Sequence, residues 1–96
     1  MDVGFIWDEE KYKKVQQEHQ VFYWEVVSVF DDPQGLEEPD PQGSWERYML
    51  VGQSAQGRLL QVIYADAYSE DGALLYRVIT AFDAGEEWCD EYKNAR

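Results

Sequence analysis

The chain has 96 residues, with 8 lysines and arginines against 20 aspartates and glutamates and a formal net charge of −12. That length admits one compact domain, and a content of 45% hydrophobic and 16% aromatic residues supplies a core, which excludes intrinsic disorder. A disulfide scaffold is excluded because Cys89 has no second cysteine. A structural zinc site is disfavoured because His19 is the only other soft ligand, and the charge disfavours nonspecific binding to nucleic acid, which depends on Lys and Arg neutralising phosphates.

Residues 3–7 form a short apolar run. Asp8 then occupies an N-cap position, with Glu9 and Glu10 in a favourable first turn, so a helix is expected over 8–19 with Tyr12, Val15 and His19 on a narrow packed stripe. A second helix is expected over 21–30. There the spacing places Phe22, Tyr23, Val26, Val27 and Phe30 on the buried face, and Trp24, Glu25 and Ser28 opposite. Asp32-Pro33-Gln34-Gly35 recurs as Asp40-Pro41-Gln42-Gly43, each with the residue choices of a type I turn, and the pair brackets an exposed edge strand over 36–39.

Strands are expected over 45–52, 59–64 and 74–81, joined by turns at 53–57 and 69–72 whose shortness requires antiparallel neighbours. Asp83 with Glu86 reads as the capping box of a last helix carrying Ala84, Trp88 and Tyr92 inward. The order is β-α-α-(β)-β-β-β-α, an α+β domain in which helices pack on one face of a small antiparallel sheet. No stretch approaches the ~18 apolar residues of a membrane span, and the first residues lack a basic, then apolar, signal pattern. A single soluble, cytoplasmic domain spanning 1–96 is therefore expected, with no membrane association.

No phosphate loop, nucleophile elbow or metal-ligand spacing is present, and no cofactor or metal is expected. The chemistry rests on isolated polar residues. His19 is a candidate general acid or base, although from the residues alone a helix C-terminal residue favoured by the dipole is the better account of it. Arg47, Arg58 and Arg77 lie in or beside strands and can clamp a phosphate or carboxylate, or pair with the many acids. Glu46 is a candidate base with little specificity. Trp24, on the polar side of its helix, is either covered by a loop or part of a partner surface. Glu86, Glu87 and Asp90 belong to an acidic tract that either attracts a basic partner or is a solvated helix face.

In order and spacing, Phe5-Ile6-Trp7-Asp8-Glu9-Glu10-Lys11, Glu18-His19-Gln20-Val21, Val29-Phe30-Asp31-Asp32-Pro33, Glu46-Arg47-Tyr48, Gly57-Arg58-Leu59-Leu60 and Arg77-Val78-Ile79-Thr80-Ala81-Phe82 resemble the BrnT family of small toxins from bacterial type II toxin–antitoxin modules. The resemblance implies a RelE-like α+β fold, RNA cleavage as the toxic activity, and a cognate antitoxin that carries a DNA-binding domain. On the matched positions it implies His19, Glu46, Arg47 and Arg77 as catalytic residues, and Arg58 and Lys11 as substrate-binding ones. The chain departs from the family pattern at Glu18 and Gln53, where the family carries Lys and Arg, at Phe82 in place of Arg, and along an acidic rather than basic last helix. Each change removes or reverses a positive charge, so two readings stand. One is a metal-independent ribonuclease toxin with an acidic surface. The other is an inactive, acidic member acting as a homodimer or partner-binding module through Trp24, Glu86, Glu87 and Asp90.

Overall fold

A computed structural model describes residues 4–40 and 46–94. Strand β1 (Gly4–Trp7) leads into helix α1 (Glu9–His19), whose N-cap Asp8 accepts hydrogen bonds from the Glu10 and Lys11 amides at 3.0 and 3.2 Å. The helix stops where Gln20 turns left-handed, at φ 54°, and returns its amide to the Gln16 carbonyl. Both ends follow from the sequence as expected.

Helix α2 (Tyr23–Val29) is shorter than its periodicity implies and is rotated. Val26 is buried as expected and Trp24 is exposed, but Val29 is buried as well, Phe22 and Tyr23 are exposed, and Glu25, assigned to the polar face, is only 5% exposed. The reason is local: the Glu25 carboxylate folds back to accept the Phe22 amide at 3.1 Å, so the first turn is oriented by a cap and not by its aromatic residues. The first Asp-Pro-Gln-Gly turn forms as expected, with Gly35 N–H donating to the Asp32 carbonyl and Gln34 N–H to the Asp32 side chain. Beyond its buried Asp40, the second turn lies outside the described residues.

Strand β2 (Leu36–Pro39) matches its expected bounds, and β3 (Tyr48–Gln53), β4 (Leu59–Tyr68) and β5 (Leu74–Asp83) follow. The two hairpins turn on Gly57 and Gly72, at φ 84° and 86°, a region closed to most side chains. Helix α3 (Glu86–Asn94) begins later than its apparent capping box. Asp83 ends β5 instead, with its carboxylate held by Arg58 at 2.6 Å.

The sheet order is β1-β5-β4-β3-β2, antiparallel throughout except for β1, which runs parallel to β5. Parity along the strands separates two faces. Leu50, Val62, Tyr64 and Val78 meet Val15, Val26 and Val29 of the first two helices. Met49, Val51, Ile63 and Ile79 face the other way and meet Trp88 and Tyr92 of α3. The helices therefore lie on both faces and not on one, because α3 follows β5 over the side opposite the α1–α2 pair. Among the described residues, no helix is long and apolar enough to cross a membrane.

Candidate active site

A bulge in β5 decides which residues share the α3 side of the sheet. Ile63 pairs with Thr80 but Tyr64 pairs with Val78, which leaves Ile79 unopposed. Arg77 and Phe82 are five residues apart, and in an unbroken strand they would point to opposite faces. The extra residue restores the phase: Arg77, Ile79, Thr80 and Phe82 all open onto the face that α3 covers only in part.

Four shallow depressions that share lining residues run along β5 and the flank it presents to α1. The first, about 370 Å³, is lined by Trp7, Asp8, Lys11, Arg77 and Ile79. It meets a second of about 270 Å³ through Lys11 and Ile79, where Lys14, Glu18 and His19 line the wall. Ile79 and Thr80 lead on to a third, about 430 Å³, between Arg47, Asp40, Ile63, Phe82 and Trp88. On the far side of Arg77 a fourth, about 390 Å³, contains Glu46, Tyr48 and Asp66. Read along the groove, Glu46, Arg77, Lys11 and His19 follow in succession.

The charge of this groove differs from that of the molecule. Among the described residues, Lys11, Lys14, Arg47 and Arg77 make no ion pair within 4.0 Å, although acids outnumber bases more than twofold in the chain. His19 sits at the last turn of α1, 3.9 Å from the Glu18 carboxylate, with its ring tilted against Phe82 at a centroid separation of 5.8 Å. Its position depends on α1 running beside the part of β5 that the four-residue β1 leaves unpaired.

Arg58 does not join them. Its Nε and Nη2 donate to the two Asp83 oxygens at 2.6 and 3.0 Å, Nη1 to the Gln20 carbonyl at 2.8 Å and to Glu25 at 3.3 Å, and Nη2 to the His19 carbonyl at 2.9 Å. All five guanidinium donors are engaged. Arg58 thus takes the pairing with acids that the sequence also allows: it closes the C-terminus of α1 and neutralises buried Glu25. These contacts hold the Asp83 carboxyl below its usual range, chiefly through the Arg58 hydrogen bonds and against the opposing effect of partial burial.

The expected partner surface divides. Trp24 is 48% exposed on α2, beside exposed Phe22 and Tyr23, whereas Glu86, Glu87 and Asp90 are exposed on α3 across the sheet. Sequence reasoning passed over Lys14, read as merely solvated, and Phe82 and Trp88 as groove residues. The four-residue spacing of Ala84, Trp88 and Tyr92 did mark the inner side of α3, but only Tyr92 is fully covered, and Trp88 remains part of the groove wall.

The fold is similar to that of a crystallised bacterial toxin, the ribonuclease toxin BrnT of Brucella abortus, with a TM-score of 0.67 over 88% of this chain and 99% of that one. At 19% identity the likeness carries the fold and not the chemistry of the site. No curated protein matches significantly. The model of a family described as ribonuclease toxin, BrnT, of type II toxin–antitoxin system matches residues 7–87, and the chain belongs to that family. Membership of a toxin–antitoxin family implies an antitoxin as partner.

Proposed function

We propose that the groove cleaves RNA by attack of a 2′-hydroxyl on the adjacent phosphate. The observation that carries this reading is the succession of Glu46, Arg77, Lys11 and His19 along adjoining depressions: a carboxylate, two cations free of ion pairs among the described residues, and an imidazole. Glu46 takes the proton from O2′ as that oxygen bonds to phosphorus. Arg77 and Lys11 stabilise the charge gathering on the phosphorane oxygens. His19, as imidazolium, gives its proton to O5′ as the P–O5′ bond breaks, leaving a 2′,3′-cyclic phosphate and a 5′-hydroxyl. Arg47 faces the same side of the sheet from a neighbouring depression, and Arg58 supports the site by fixing the end of α1 that carries His19.

Incubating the purified protein with a mixed-sequence RNA and analysing the new ends tests this. Cyclic phosphate ends are expected. Arg77→Ala is expected to slow cleavage by about 100-fold or more, in line with loss of one transition-state donor. Unchanged cleavage in that variant removes the assignment.

A second surface supports the partner-binding half of the reading. Phe22, Tyr23 and Trp24 are 40%, 37% and 48% exposed in consecutive positions at the start of α2, and none of the three lines the groove. We assign this aromatic patch to the antitoxin implied by the family. Trp24→Ser is then expected to weaken antitoxin binding by about 10-fold or more, as for an aromatic anchor, while leaving RNA cleavage intact.

A further inference from the structure

We propose that the depression between β5 and α3 is a nucleobase subsite that takes an unpaired guanine on the 3′ side of the scissile bond; this rests on the RNA-cleaving reading above. At about 430 Å³ it is the largest of the four and falls within the ~300–1,000 Å³ range of small-ligand sites. Phe82 and Trp88 contribute aromatic walls and Ile63 and Ile79 an apolar floor, surroundings that suit the flat face of a base. Both aromatic residues are only partly covered by the rest of the molecule.

The polar groups at the rim narrow the choice of base. Gln61 lines the depression but both ends of its amide are occupied, by the Met49 sulfur at 3.2 Å and the Gly85 amide at 2.8 Å. Arg47 forms no ion pair among the described residues, so its guanidinium offers a paired donor to a base edge, beside the single hydroxyl donor of Thr80. A guanidinium fork matches the adjacent O6 and N7 acceptors of guanine, which no other base presents.

The position along the strand follows from His19. Its ring lies against Phe82, so the imidazole that protonates O5′ adjoins the wall of this depression. The base held there belongs to the nucleotide that carries O5′, on the leaving side.

The test is a binding panel with the four nucleoside 5′-monophosphates, followed by mapping of cut positions in a mixed-sequence RNA. Guanosine 5′-monophosphate is expected to bind about 10-fold or more tightly than the others, with cuts falling on the 5′ side of guanines. Trp88→Leu and Phe82→Leu are each expected to weaken it by about 10-fold, and Arg47→Lys to remove the preference for guanine. Equal binding of all four nucleotides, with RNA still cut but without base preference, overturns the subsite and leaves the cleavage reading standing. Selective binding of the guanine nucleotide without cleavage of RNA upholds the subsite and removes the activity. If no nucleotide binds and Trp88→Leu weakens the antitoxin complex instead, the depression belongs to a protein partner and the proposal falls.

Discussion

Arg58, just before β4, and Arg77, on β5, are the same residue type, and their surroundings separate their roles. Arg58 lies among two carboxylates and two helix-terminal carbonyls, so its charge is used inside the fold. Replacing it with methionine leaves Glu25 buried without its cation and strips the α1 carbonyls of their donor, which is expected to cost about 3 kcal/mol in unfolding measurements at neutral pH. Part of that difference depends on pH. Because the folded state lowers the Asp83 pKa below its usual value of 3.8, its contribution is present above that value and is lost as pH falls through the lowered pKa. The gap between wild type and Arg58→Met is therefore expected to narrow in unfolding curves collected below about pH 4. A motif of the form Gly-Arg-Leu-Leu names the arginine but not its acceptors, which come from residues 19, 20, 25 and 83. That long-range convergence is why the sequence leaves both substrate binding and pairing with acids open for Arg58.

At the scale of elements, chain order, hairpin turns and the exposed edge strand were legible because each follows from local chemistry: the Asp8 cap, the Asp32 turn, and the glycines at 57 and 72. The rotation of α2 was not, because a folded-back Glu25 outweighed its hydrophobic period. Nor was the placement of α3, which depends on a non-local bond. Asp32 anchors it, accepting from the Tyr92 hydroxyl at 2.6 Å and from the Gln53 amide at 2.8 Å, so one turn side chain joins the end of β3 to the last helix. Tyr92→Phe is expected to lower stability by about 1 kcal/mol, with hydrogen exchange rising first in α3. The bulge at Ile79 was equally hidden, since nothing in Arg-Val-Ile-Thr-Ala-Phe shows which residue goes unpaired. Without it, Arg77 and Phe82 would not share a face, and half of the groove would be missing.

For the whole molecule, the net charge of −12 and the individual cations of the groove act over different distances. The overall field opposes approach of RNA and is screened within about 10 Å at moderate salt, whereas contacts in the groove operate at hydrogen-bond range. With Lys11, Lys14 and Arg77 as phosphate contacts, the logarithm of RNA affinity is expected to fall with the logarithm of salt at a slope of about −2 or shallower. A steep slope would place binding on a broader basic surface than this chain possesses. Acidic residues thus limit nonspecific attachment, and the groove gathers Lys11, Lys14, Arg47 and Arg77 along β5. The most direct test of that account is RNA cleavage by wild type beside Arg77→Ala, with circular dichroism confirming that both are folded. The account predicts cyclic phosphate ends from wild type and a loss of about 100-fold or more in the variant. Absence of cleavage by wild type, or equal cleavage by both proteins, would contradict it.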